Sequence, residues 1–241
     1  MGSDLSVVNA ARVSFGKTSD WNPDWRDDNY TSLLTKDSNL IKYLADHKHM
    51  SPFGHCFASF HIKAPIFVAR QLVKHKFLRW NEISRRYVDD KPEFYVPDVW
   101  RGRSADKKQG SSDTVVEFLR MQGFGEQSVH DGSFKHQMHS LDLYRDMVTA
   151  GVCPEQARGV LPQSTMTEWW WSGSLDAWAD MCKLRMAPDS QYESQLVARG
   201  ISGIMSGLFE ASWAALVPVF IRPFDGEESA RSLERSKINK N

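Results

Sequence analysis

Residues 71 to 87, QLVKHKFLRWNEISRRY, gather cations, a carboxylate, amides and a hydroxyl at the end of the longest apolar stretch in the chain, Ala64 to Val73. On a helix, Gln71 shares a face with Lys74 and His75 by three- and four-residue spacing. A buried helix that ends on Lys74-His75-Lys76 must deliver its cations to an anion, because unpaired buried charge is costly. Ser84 and Arg86, two residues apart, offer a phosphate one hydroxyl and one bidentate guanidinium. Read alone, the run is more simply a solvated basic helix end, with Glu82 as a local counter-charge.

Two further segments place polar groups in apolar surroundings. In EQARGVLP, residues 155 to 162, Arg158 stands just before an apolar stop, and a capped helix accounts for it more simply than a site does. In Lys183-Leu184-Arg185, followed by Gln191 and Glu193, a lone arginine at the end of an apolar helix usually snorkels or complements the helix dipole. Other chemistries lack their residues. There is no Gly-x-Ser-x-Gly elbow, Walker loop, His-Glu-x-x-His or Gly-x-Gly-x-x-Gly. His47, His49 and His55 have a loosely metal-like spacing but no companion carboxylate or thiolate cluster, so no metal is expected. The three cysteines, Cys56, Cys153 and Cys182, are odd in number and scattered. They make neither a disulfide framework nor a zinc cluster, and none has an activating partner nearby in sequence.

The elements that must position these groups follow from periodicity. Leu5, Val8, Ala11 and Arg12 give a short amphipathic helix ending at Gly16, and residues 18 to 31 read as a polar loop. Ser38 is the expected N-cap of a helix carrying Leu40, Ile41, Leu44 and Ala45. Cys56 to Lys63 alternate as on a strand with two differently used faces. Pro65 in a first turn opens a helix over Ile66 to Leu78, apolar nearly all round and so buried. Glu93 to Pro97 is a short extended piece. Residues 101 to 134 are a polar surface excursion with one modest helix over Val115 to Arg120. Helices are then expected from Met138 to Gly151, Leu175 to Leu184, and Gln191 to Leu216. The charged tail, 225 to 241, has no apolar period and is expected to be disordered. The sum is α+β around one core, with the domain at 1 to 224.

Composition bounds the rest. The chain has 241 residues, 41% of them hydrophobic, with 30 basic against 30 acidic side chains. One sizeable domain fits that length better than two independent cores. Zero net charge argues against a generally basic nucleic-acid binder. The stretch from Ala64 to Val73, broken by Arg70 and Gln71, is far short of the ~20 apolar residues of a membrane span. With no leader-like opening, a cytoplasmic location is expected.

KHKFLRWNEISRRY resembles the signature of the flavin-dependent thymidylate synthases: Arg-His-Arg, seven residues, Ser, usually with Asn-Glu and a terminal Arg-Tyr. Asn81, Glu82, Ser84, Arg86 and Tyr87 fall on matching positions. The blocks AARVSFGK, HMSPFGH, FHIKAPIFVARQ, EFYVP, EQARGVLP and the segment around Arg185 recur in the same order, so the resemblance covers most of residues 5 to 216. It implies an α+β fold, with helices around a central, mostly antiparallel sheet. The implied assembly is a homotetramer with active sites between subunits. The implied activity is reductive methylation of dUMP to dTMP, with methylene-tetrahydrofolate as carbon donor, FAD as redox cofactor and NADPH as reductant. Such chemistry needs position and charge from the protein rather than a nucleophile.

Carried over by position, Gln71, Glu82, Ser84, Arg86 and Arg158 hold dUMP, with Arg158 reaching a neighbouring subunit's site. Arg185 matches the arginine that contacts the pyrimidine and is the expected catalytic cation. His49, Ser51, Lys74, His75, Lys76, Asn81 and Asp180 match positions near the flavin. The chain departs from the common pattern in places. Lys74-His75-Lys76 stands where Arg-His-Arg is usual, and Arg79 where a small residue is. Ser174, Asp176 and Asp180 stand where many members have Asn, Arg and Asn. Family chains usually open with a short strand ahead of the block matching Met1 to Asp4, which implies a missing edge strand or an upstream start. Two rivals remain: a relative giving another 5-substituted product, and a degenerate homologue that binds nucleotides or RNA through KHKFLRW.

Overall fold

The computed structural model describes residues 2–24, 27–87, 90–105, 110–121 and 125–218. The first helix, α1 (Asp4–Arg12), opens on a capping box in which Ser3 and Ser6 exchange hydrogen bonds, and a 3₁₀ turn carries it to Gly16 at φ +61°. Next come β1 (Asn22–Asp24) and β2 (Asp27–Ser32), an antiparallel pair, and then α2 (Thr35–Asp46). A 3₁₀ turn (Ser51–His55) leads into β3 (Phe57–Pro65), α3 (Ile66–Leu72) and β4 (Arg79–Glu82). Two antiparallel pairs follow, β5 (Arg101–Arg103) with β6 (Ser111–Val115), and β7 (Phe118–Met121) with β8 (Gly125–Ser128). The remainder is α4 (Val129–Thr149), α5 (Pro154–Ala157), β9 (Met166–Ser174), α6 (Leu175–Arg185), α7 (Tyr192–Leu208) and α8 (Glu210–Leu216).

The fold is therefore mixed helix and strand, with a small sheet ordered β3-β9-β4. Ile66 N–H donates to Thr165 O and Leu175 N–H to Cys56 O, so β3 runs antiparallel to β9. On the other side of β9, Ile83 N–H donates to Glu168 O. Burial along β9 alternates: Thr167, Trp169, Trp171 and Gly173 point inward, while Trp170 is 57% exposed.

Among the described residues the chain divides into two compact units, one of 2–60, 75–79 and 172–218, the other of 61–74 and 80–171. In the first, Val7, Val8, Ile41, Phe53, Trp178, Met181 and Met205 are fully buried. Trp178 donates its indole N–H to both Ala58 O and Gly173 O, at 3.2 and 3.1 Å, which satisfies the one polar atom of a large buried side chain. Asp4 accepts the N–H groups of Ala211 and Ser212, each at 2.9 Å, and so caps α8 from the far end of the sequence. In the second unit, the Trp80 ring stacks on Trp169 with centroids 4.2 Å apart, and Gln137 Nε2 donates to Tyr95 O and Ser164 Oγ.

Several expected elements differ. The helix predicted from Ser38 begins at Thr35, and its buried Asp37 accepts from Arg12 and Ser19 rather than facing water. The helix predicted over Ile66 to Leu78 stops at Leu72, with Pro65 as its N-cap. Leu78 is buried and its N–H donates to His75 O, so the chain turns there instead of continuing. The predicted loop of 18 to 31 holds β1 and β2, and in place of the helix expected over Val115 to Arg120, Val115 ends β6 and Phe118 to Arg120 lie in β7. The helix predicted from Met138 starts at Val129, where Ser128 Oγ accepts Asp131 N–H. The single helix predicted over Gln191 to Leu216 is broken at Phe209 (φ −138°, ψ 62°). The sequence pattern predicts no element where β9 lies. The tail from 225 lies outside the described residues. Among the described residues, no helix is long and apolar enough to cross a membrane.

Candidate active site

The signature segment leaves α3 at Leu72, so Gln71 is helical while Lys74 and His75 lie in the following turn. The helical face expected to join all three is not formed. That turn is seated by Gly173, where an added Cβ would stand 2.3 Å from Leu78 Cδ2 and 3.3 Å from Phe77 O. His75 is half-buried, while Lys74 and Lys76 are exposed.

Arg185 is the last residue of α6, whose other face is fixed in the core by Leu175, Trp178, Ala179, Met181 and Cys182. A cation there complements the helix C-terminus. Its Nε donates to His75 Nε2 at 3.0 Å. Burial first, and Arg185's charge second, push the His75 pKa down to about 4, against an opposing pull from Asp180. The imidazole is therefore neutral at physiological pH. Burial also lowers the pKa of Arg185. Asp180 itself pairs with Lys183 at 2.9 Å on the exposed side of α6.

His49 follows the turn made by Lys48 at φ +56°. Its ring stands parallel to those of Tyr43 and His47, with centroids 6.1 and 6.3 Å away, and Tyr43 stacks on His47 at 4.0 Å. All three side chains are exposed, as is Ser51 at the start of the 3₁₀ turn.

The remaining predicted residues sit in the second unit. Glu82, on β4 with the exposed Asn81, is fixed from both sides. Thr167 Oγ1 donates to Glu82 Oε1 at 2.6 Å, and Trp80 Nε1 donates to Glu82 Oε2 at 3.1 Å. Arg86 folds back on Ser84, whose Oγ accepts from Arg86 N and Nε at 3.4 and 3.3 Å. The hydroxyl and the guanidinium are thus brought together, as a phosphate requires. Arg158 lies in a 3₁₀ turn after α5 and donates from Nε to Glu155 O at 3.2 Å. The structure joins Arg185 to His75 and Arg86 to Ser84; Arg158 is bonded within its own turn.

Sequence reading missed Thr167, Trp80 and Gly173. The available signal was the period-two pattern Thr167, Trp169, Trp171, Gly173, obscured by the consecutive tryptophans of TEWWWSG. The thiols offer no nucleophile in the interior: burial raises the pKa of both Cys56 and Cys182.

The family model described as "Thymidylate synthase complementing protein" matches residues 1–209. A flavin-dependent thymidylate synthase of Thermus thermophilus is 36% identical over 220 residues, covering 89% of this chain and 72% of that protein. Another from Thermosipho africanus is 37% identical over 206 residues, covering 85% and 82%. Among solved structures, the UMP/dUMP methylase PolB from Streptomyces cacaoi, bound with 5-Br dUMP, is similar with a TM-score of 0.69 at 27% identity, covering 89% of this chain and 90% of that one. The chain belongs to the flavin-dependent thymidylate synthase family.

Proposed function

We propose that this protein catalyses the reductive methylation of dUMP to dTMP in the cytoplasm. Its carbon donor is methylene-tetrahydrofolate, its redox cofactor FAD and its reductant NADPH, and it acts as a homotetramer with active sites between subunits. The reaction balances as dUMP, methylene-tetrahydrofolate, NADPH and one proton giving dTMP, tetrahydrofolate and NADP⁺. The observation that carries this reading is Arg185, a half-buried cation at the end of α6 whose Nε donates to His75 Nε2.

The chain's residues suit a flavin on two counts. The exposed stacked rings of Tyr43, His47 and His49 offer a planar surface for isoalloxazine. Lys74 and Lys76, both exposed, keep the positive charge that a diphosphate needs, although they lack the planar fork of arginine. Ser51, Asn81 and Asp180 complete the proposed flavin set, while His75 is turned to Arg185. These residues would hold FAD, which would supply the redox chemistry that reduces the transferred carbon to a methyl group.

The protein's own work is orientation and charge. Ser84 and Arg86 take the dUMP phosphate, with Arg158 contributed by another subunit. Gln71 and Glu82 fix the nucleotide, Glu82 being held still by Thr167 and Trp80. Arg185 stabilises the negative charge that grows on a pyrimidine carbonyl oxygen as C5 becomes nucleophilic. No protein nucleophile is required.

The test is direct. The purified protein should be yellow and release FAD on denaturation. With dUMP, methylene-tetrahydrofolate and NADPH under anaerobic conditions, the product should be dTMP by mass and retention. A colourless preparation that cannot be reconstituted, or a different 5-substituted product, would refute the proposal.

A further inference from the structure

His75 and Arg185 are 110 residues apart in sequence, yet their side chains meet through one nitrogen each, Nε of the arginine and Nε2 of the histidine, at 3.0 Å. An imidazole can accept from a guanidinium only when neutral, because the protonated ring has no lone pair to offer and its charge repels the arginine. Its proton then sits on Nδ1. The guanidinium is planar and rigid. Anchoring its Nε–H therefore fixes the plane in which both terminal nitrogens lie.

We propose that His75 is a positioning residue for methylation: its neutral ring holds the Arg185 guanidinium in the orientation that the pyrimidine carbonyl requires, and it acts on the reaction through Arg185. The proposal rests on the role given above to Arg185. It differs from a simple flavin contact, which predicts loss of flavin when His75 is replaced. Positioning predicts loss of turnover with flavin in place. The surroundings favour a neutral ring: burial and the adjacent guanidinium outweigh Asp180, which is engaged with Lys183.

The experiment uses the flavin-loaded enzyme, with the variants His75→Leu, His75→Gln, Arg185→Ala and the double variant His75→Leu/Arg185→Ala. Flavin per chain, kcat and the dUMP KM are measured for each. The expected result is that His75→Leu lowers kcat about tenfold or more with flavin content unchanged. His75→Gln, whose amide oxygen can replace Nε2 as acceptor, should recover most of that loss. In the Arg185→Ala background His75→Leu should cost no more than about twofold, since the two residues act as one unit. Spectra of ¹⁵N-histidine-labelled protein should show His75 as the neutral Nδ1–H tautomer, with its Nε2 resonance moving on Arg185→Ala.

The proposal is overturned if His75→Leu loses flavin but keeps normal kcat per bound flavin, if the two losses multiply in the double variant, or if His75 carries its proton on Nε2. Near-normal turnover by Arg185→Ala would instead remove the role of Arg185, and the proposal with it. Should His75→Leu fail to fold, the tautomer measurement on the unaltered chain decides.

Discussion

Thr167, buried on the central strand, donates its hydroxyl hydrogen to Glu82 Oε1 at 2.6 Å, so a carboxylate at the end of one strand is aimed by its neighbour on the next. Replacing Thr167 by Val keeps the shape and removes the donor. A hydrogen bond to a charged group contributes roughly 1.5–3 kcal/mol. The dUMP KM should therefore rise about tenfold or more, with flavin content unchanged. An unaltered KM would show that Glu82 does not need this partner to hold nucleotide.

Arg185→Ala removes the cation from the site of developing charge. Losing one such donor typically costs ~3 kcal/mol of transition-state stabilisation, or about 10²–10³ in rate. Single-turnover dTMP formation should fall by that factor while the protein stays yellow. Near-normal product formation would contradict the assignment.

The state of His75 also makes a prediction about stability and pH. Its pKa in the folded chain is lowered to about 4 from the ordinary 6.5. In the unfolded chain the ring takes up its proton near the ordinary value. As pH falls from about 6.5 towards 4, the unfolded state therefore binds a proton that the folded state lacks, and folding is progressively disfavoured. Above that window the contribution is fully present. Thermal unfolding across this range should show the unaltered protein losing Tm more steeply than His75→Gln. Equal slopes would mean that the histidine does not titrate as described.

At position 173 a methyl group would overlap Leu78 Cδ2 and crowd Phe77 O. Overpacking of this kind costs about 1–3 kcal/mol. Gly173→Ala should lower Tm, and trimming Leu78 to Val in the same chain should recover part of the loss. If Gly173→Ala alone is silent, the turn that carries His75 is more yielding than its packing implies.

How far the sequence foretold this arrangement can be judged from particular residues. The alternation over Cys56 to Lys63 announced β3, and the apolar period of Leu175 to Leu184 announced α6 to within a residue, because each signal is local. The signature run likewise pointed to Ser84 and Arg86, which the fold brings into contact. What escaped depends on distant partners. α3 stops at Leu72 although its apolar pattern continues, since Leu78 is buried in a turn beneath Gly173. Three consecutive tryptophans hide a strand, because alternation of burial is not alternation of residue type when Trp170 faces outward. The meeting of His75 with Arg185 has no local signature; only their separate family positions suggested either residue.

The contact from Asp4 to Ala211 and Ser212 spans 207 and 208 residues. A nascent polypeptide emerging from the ribosome carries that carboxylate long before its recipient exists, so α8 cannot be capped until nearly all of the described chain has been made. Closure of this kind is slow, because a long loop must be drawn in before the contact rewards it. Loss of the Asp4 carboxylate should accordingly be felt at α8, and loss of α8 at the first helix.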